Sequence, residues 1–313
     1  MRGYVANTDI DWFQTLSVRP EIEEINFWQP SGGKGFHVLA PGELIFFRLK
    51  SPHNAIGGFG IFARHDILPA WHAWDTFGEG NGARSFPEMR ERVAQYRRRH
   101  QPAFVSDAHG NYLIGCILVV EPVFLPPDQW VREPSDWPRN AVQGKSYDLS
   151  VGEGARVARD CLERLRHDEG PTMQELLEMT NRYGAPQLIT PRLGQGTFKI
   201  AVEKAYGRSC AITGEHSLPV LEAAHIRPYG NGGAHSVSNG MLLRRDIHRL
   251  FDLGYVTVTP DATFEVSRAL REEFANGRTY YALQGGNVKF PRSKEDLPAP
   301  EQLAWHNDMV FRA

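Results

Sequence analysis

LEAAHIRPYGNGGAHSVSNGMLLRRDIHRLFDLG, residues 221 to 254, is the stretch from which the rest of the chain can be read. His225 closes an apolar run, Val220 to Ala224, that reads as a strand. A Gly-rich loop follows, ending at Asn239, and then a segment with helical spacing carries His248 and Asp252. Positions four apart share one face of a helix, so an imidazole and a carboxylate are aimed at one spot. A strand ending in His, a loop anchored by Asn and a helix offering a His/Asp pair make a compact site for metal-assisted hydrolysis. By itself such a His/Asp pair is usually a surface ion pair. Order, spacing and flanks together carry the reading.

The order His225, Asn239, His248 resembles that of the HNH nucleases, which use a ββα-metal fold. Cys210-Ala-Ile-Thr-Gly214 before the motif and Asp246-Ile-His-Arg-Leu-Phe-Asp252 within it agree with the resemblance. Gln195-Gly-Thr-Phe198 and Ala205-Tyr-Gly207 look like the branch found in restriction enzymes. The resemblance covers roughly a third of the chain, and its weight lies in several elements agreeing in order. It implies that His225 is the general base, that Asn239 fixes the loop and orients the catalytic His, and that His248 and Asp252 hold a divalent cation. A neutral imidazole suits a base near neutral pH. One nitrogen, one carboxylate, waters and a phosphate suit Mg²⁺ or Mn²⁺, with Zn²⁺ or Ni²⁺ also able to bind.

Two departures from the family pattern stand out. Ala224 occupies the position where many relatives carry a further metal ligand. Asp246, two residues before His248, falls about 200° around a helix from it, which ranks it below Asp252 as a ligand. Relatives with a structural zinc carry paired Cys-x-x-Cys motifs; here the corresponding positions are Cys210 and Thr213, then Arg244 and Ile247, so no structural zinc is expected. Arg227, Arg244, Arg245 and Arg249 are candidates for DNA phosphate contacts, while His235 reads as a solvated loop residue.

Outward from the motif, the chain of 313 residues has room for two domains. Its 41% hydrophobic and 23% charged content is that of a soluble globular protein, and a net charge of −2 excludes bulk-basic DNA coating. Three scattered cysteines argue for a reducing compartment. The first residues carry no apolar leader and no run reaches the ~20 apolar residues of a membrane span, so a cytoplasmic protein without membrane association is expected. The class expected is α+β, with a DNA-reading domain over 1–150, a helical linker over 151–194 and the nuclease domain over 195–313.

The N-terminal part reads as β-rich, with strands at Tyr4–Asn7, Gly42–Leu49, Gly58–Ala63 and Tyr112–Val119, the last ended by Pro122 to Pro127. Helices are expected over Asp11–Leu16 and Glu88–Arg99. Phe27-Trp28, a Pro-Gly-Glu-x-x-x-Phe strand and a Gly-x-Gly strand resemble the PUA-like superfamily, closest to its EVE-type members, which implies a β-barrel-type reader of nucleic acid. Joined to an HNH module, this resembles the modification-dependent restriction endonucleases, an analogy at the level of fold. A base read this way leaves the stack and finds aromatic faces and hydrogen bonds. Trp28, Trp71, Trp74 and Phe77 are candidates for stacking and Asp75 for accepting from a cytosine amino group, although Trp and Phe in a small β module are commonly core. Arg97 and Arg98, in an Arg-rich helix, are candidates for phosphate contacts.

Charged helices over Ala155–His167 and Thr172–Tyr183 read as a connector that could also join two copies. In the nuclease part, Cys210–Thr213 and Val220–Ala224 are the expected strands. Thr197 is the expected cap of a helix to Tyr206, Tyr255–Thr259 and Thr263–Val266 a hairpin across Pro260-Asp261, and Trp305 a core anchor of a last helix with His306 an ordinary residue. The function expected is cleavage of double-stranded DNA containing 5-methyl- or 5-hydroxymethylcytosine by a homodimer. Two rival readings are a non-catalytic nucleic-acid-binding protein with a decayed HNH module and an HNH nuclease whose first domain senses something other than a base.

Overall fold

The computed structural model describes residues 1–33, 35–165 and 193–313. The class is α+β, in two compact units, Met1–Arg192 and Leu193–Ala313. The expected helix at Thr172–Tyr183 lies outside the described residues.

The first unit is built on one seven-stranded sheet. Its strands are β1 (Arg2–Thr8), β2 (Glu24–Gln29), β3 (Leu44–Leu49), β4 (Ala55–Pro69), β5 (Leu113–Phe124), β6 (Val131–Arg132) and β7 (Gly144–Asp148). They run in the order β2-β5-β4-β3-β1-β7, with β6 added on β4. The ends of that order, β2 and β7, do not pair, so the barrel expected from the resemblance is an open sheet among the described residues. β5 runs past the expected stop at Pro122. Glu121 takes φ 50° there, and the β4–β5 register skips from Val120 to Val123. Pro122, which has no N–H to give, falls in the bulge where none is needed.

Helices α1 (Ile10–Ser17), α2 (Ala70–Phe77) and α3 (Phe86–Arg98) accompany the sheet. Ser85 caps α3 by accepting from the Glu88 amide, with Pro87 in the first turn. α4 (Gly152–Leu165), read in the sequence as the start of a connector, inserts Val157, Ala158 and Cys161 into the same core as Val5, Phe46 and Phe59.

In the second unit the two strands of the motif are β8 (Leu221–His225) and β9 (Gly240–Arg244), antiparallel, with His225 opposite Gly240. Cys210–Thr213 is a turn, not the first strand; its Cys210 sulfur accepts the amides of Thr213 and Arg244. The Met241-Leu-Leu243 run supplies the missing strand, and all three side chains are fully buried, each worth about 1.5–3 kcal/mol of transfer free energy. α5 (Gln195–Ala205) begins after Gly194, so Thr197 is a buried residue inside the helix and not its cap. α6 (Arg245–Asp252) follows β9 directly, buries Ile247 and Phe251, and leaves His248 and Asp252 on the other side. The hairpin β10 (Val256–Val258) and β11 (Phe264–Val266), the short helices α7 (Ala269–Phe274) and α8 (Arg278–Tyr281), and α9 (Pro300–Met309) complete the unit. The anchor of α9 is His306, which is buried and stacked on Phe251 at 3.6 Å, while Trp305 is half-buried beneath the Arg227 guanidinium.

Candidate active site

β8, the loop after it and α6 bring the three motif residues to one end of the second unit. Asn239 is buried and holds the loop by three side-chain bonds. Its Oδ1 accepts the Arg227 amide at 2.9 Å, and its Nδ2 donates to the carbonyls of Arg227 and Ala234, both at 2.9 Å. The Asn239 carbonyl accepts the Ile226 amide as well, so the residue next to His225 is tied to the far end of the loop. A β-carbon at Gly233 would lie 1.8 Å from the Arg227 carbonyl oxygen, which is why that tight return needs glycine. The expected role of Asn239 in fixing the loop thus has a geometry.

His225 stacks on Phe198 of α5 with ring centroids 4.0 Å apart, and its Nε2 lies 3.0 Å from Nδ1 of His235. His235, read from the sequence as a solvated loop residue, is also stacked on Tyr229 at 5.2 Å. Burial lowers the His225 pKa to about 4, with the neighbouring charges of His235 and His248 acting the same way. The imidazole is therefore neutral at physiological pH, the form a general base needs.

His248 and Asp252 do share a face, with Nε2 and Oδ2 3.5 Å apart. Burial raises the Asp252 pKa, and Glu222 adds to this, while His248 and Arg249 oppose it. The sequence reading missed Glu222. Its carboxylate reaches across from β8 to His248 Nδ1 at 2.8 Å and to Arg245 Nε at 2.9 Å. The available signal was position: Glu222 is the one acidic residue in the strand that ends at His225. Glu222, His248 and Asp252, with Arg244, Arg245 and Arg249, line a cavity of about 720 Å³. Asp246 is turned into a bidentate pair with Arg244, at 2.7 and 2.8 Å, and accepts from Tyr280. Arg227 donates its Nε to the Asn231 carbonyl at 2.6 Å and is not among the residues lining this cavity.

No group of three or more His, Cys, Asp or Glu side chains able to hold a metal occurs among the described residues. The His248/Asp252 pair still fits a cation that takes two protein ligands and completes its shell with water and phosphate. Two donors each about 2.1 Å from one ion lie roughly 3.0–3.4 Å apart for octahedral to tetrahedral angles, close to the observed spacing.

The first unit holds a cavity of about 790 Å³. Trp28 lines it; Trp71, Trp74, Asp75 and Phe77 lie on α2, outside its lining. The aromatic cluster at 70–78 therefore does not form the wall that its composition suggested. Tyr4, Trp12, Phe27, Phe36 and Tyr96 supply the other aromatic faces. Asp9, Lys50 and Tyr96 give the cavity a polar corner. Lys50 donates to Asp9 at 2.5 Å and to the Tyr96 hydroxyl at 3.2 Å, and Tyr96 donates to the other Asp9 oxygen. Of the two expected phosphate contacts, Arg97 is committed to the carbonyls of Pro30 and Leu113, and Arg98 pairs with Glu91 at 3.2 Å. No helix among the described residues is long and apolar enough to cross a membrane.

A family model described as HNH endonuclease matches residues 210–259. A search of curated proteins finds no match. Among solved structures the chain is similar to the ASCH protein from Zymomonas mobilis, with 9% identity and a TM-score of 0.31 over 50% of this chain and 94% of that one. A variant of the same protein gives 9% identity and a TM-score of 0.30, over 50% and 96%. The chain is also similar to the modification dependent TagI restriction endonuclease, with 14% identity and a TM-score of 0.28, over 94% of this chain and 65% of that one. Residues 210–259 carry an HNH endonuclease domain, as the motif order implied.

Proposed function

We propose, from the HNH endonuclease domain at residues 210–259, that this chain hydrolyses phosphodiester bonds in double-stranded DNA containing modified cytosine. The observation that carries the reading is the juxtaposition at one end of the second unit. The imidazole of His225 is held neutral and feels the charge of His248, and His248 faces Asp252 at 3.5 Å in an arginine-lined cavity whose lining does not include His225. Each part matches a need of the reaction: a base, a seat for the phosphate, and a pair of ligands.

On this reading His225 takes the tautomer that donates Nε2–H to His235 Nδ1, 3.0 Å away, and its other ring nitrogen is the base. It takes the proton of a water whose oxygen attacks phosphorus as the bond from phosphorus to the 3′ oxygen breaks. A divalent cation held by His248 and Asp252, Mg²⁺ or Mn²⁺ by donor set, would supply positive charge beside the departing oxygen. Arg245 and Arg249 sit in the lining where phosphate oxygens would lie. Asn239 keeps the loop, and so the end of β8, in register for this.

The cavity of the first unit is assigned to an extruded base. Its volume is within the range of small-molecule sites, and its aromatic walls with one polar corner suit a flipped pyrimidine. On this reading Trp28 stacks, and Asp9, Lys50 and Tyr96 meet the polar edge. Two copies of the chain would place one site on each DNA strand. The test is digestion, in Mg²⁺ and in Mn²⁺, of otherwise identical DNAs bearing cytosine, 5-methylcytosine or 5-hydroxymethylcytosine. Cleavage confined to modified DNA supports the reading; no cleavage of any, or equal cleavage of all, overturns it.

A further inference from the structure

We infer that Glu222 is a positioning residue of the nuclease site, fixing the tautomer of His248 and clamping the first turn of α6 onto β8. The inference rests on the proposed role of His248 as a ligand. It starts from an asymmetry in donors. A carboxylate accepts hydrogen bonds and has none to give when ionised, so the 2.8 Å contact with Glu222 places a proton on His248 Nδ1. In the neutral ring Nε2 then carries the lone pair, and Nε2 is the atom that faces Asp252 at 3.5 Å. With Nδ1 occupied in this way, Nε2 and the Asp252 carboxylate are two lone-pair donors close enough to share one cation, the arrangement of a metal-ligating histidine.

The second oxygen of Glu222 meets Arg245 Nε at 2.9 Å. Residues 245 and 248 are three apart in α6 and share a face, so one carboxylate from β8 holds two side chains of the helix at once. Arg245 meets Glu222 as an ion pair through Nε alone, and its side chain is 77% exposed, so its terminal guanidinium nitrogens can serve a phosphate. The contact also has a chemical consequence. A hydrogen-bonded carboxylate raises the basicity of a ligating imidazole. In a chain where Ala224 removes one ligand position, that support falls on the remaining nitrogen.

The test reads tautomer and metal separately, on the full-length protein. Long-range ¹H–¹⁵N correlation spectra of histidine-labelled protein at mildly alkaline pH should show His248 protonated at Nδ1 in the wild type. Glu222→Gln, whose amide oxygen can still accept, should keep that tautomer, and Glu222→Ala should lose it. Mn²⁺ titration followed by electron paramagnetic resonance, without DNA, should show Glu222→Ala binding about 10–100-fold more weakly than wild type, with Glu222→Gln in between. A wild-type His248 protonated at Nε2, or Mn²⁺ affinity unchanged in Glu222→Ala, would overturn the inference. If His248→Ala also binds Mn²⁺ as wild type does, the metal seat itself is misplaced, which marks failure of the underlying reading and not of Glu222 alone.

Discussion

His225 Nε2 lies 3.0 Å from His235 Nδ1, so the proposed base is oriented by a second histidine ten residues further along the chain. A base held this way keeps one ring nitrogen occupied and the other free. On the proposed mechanism, His235→Ala lowers kcat by about tenfold or more, because a free-swinging imidazole loses its preferred tautomer. His235→Asn, whose side-chain oxygen can accept the same proton, recovers part of it. Single-turnover cleavage rates check this, and a wild-type rate in His235→Ala would remove His235 from the account.

The acid limb of activity follows from His225. Its pKa is lowered to about 4, with burial as the leading cause. The base is therefore lost only as pH falls through that value, well below the ~6.5 of a free imidazole. The kcat/KM profile at saturating Mn²⁺ should stay flat through the weakly acidic range on account of this group. A limb near the free-imidazole value that disappears in His225→Ala would contradict the assigned environment.

Stability should fall on acidification. His306 is buried, donates Nε2–H to the Phe251 carbonyl at 3.0 Å, and has its pKa lowered to about 4 by burial. A folded pKa below the unfolded one means that the unfolded chain takes up the proton first as pH falls. The stabilisation is full above ~6.5 and is lost as pH falls towards the folded value, a change of about 3 kcal/mol for a shift of this size. His225, shifted in the same direction, adds to the slope. Urea midpoints measured across this range should drop, and the slope should be shallower in His306→Gln; equal slopes would refute the assignment.

Selectivity should separate from chemistry. The indole of Trp28 forms a wall of the N-terminal cavity and donates its Nε1–H to the Asn81 carbonyl at 2.9 Å. Trp28→Phe keeps a ring but loses that anchor, and Trp28→Ala removes the wall. On the proposed reading both weaken binding to modified duplex, the second by about 1–3 kcal/mol, the usual worth of a base–aromatic stack. Trp71→Ala, on α2 outside the lining, should leave the preference unchanged in the same fluorescence-anisotropy titrations.

The legible parts of this protein were those in which chemistry and chain order coincide. His225, Asn239, His248 and Asp252 stand in one stretch; the spacing of the last two anticipated the shared helix face, and the family resemblance implied the loop tie. The residues missed act across that order. Glu222 is one strand away from the nitrogen it holds, and His235 meets His225 only because Asn239 folds the loop back. At 70–78 aromatic composition pointed to residues that lie outside the lining of the N-terminal cavity. Trp71 and Trp74 are sequence neighbours of Asp75, but the cavity draws its walls from β1, β2 and α3, which no local pattern could bring together. The strand at Gly240–Arg244 was overlooked because, buried on both faces, it lacks the alternation that marks a half-exposed strand. The open sheet escaped notice for a related reason: whether β2 and β7 pair is a property of the whole sheet.

The most direct test of the central claim is cleavage of modified-cytosine plasmid DNA by wild type and by His225→Ala, in Mg²⁺ or Mn²⁺, with circular dichroism showing both folded. The account predicts that wild type cuts and that the substitution slows cutting by at least ~100-fold, the low end of what a general base contributes. A folded His225→Ala protein that cuts as fast as wild type would contradict it.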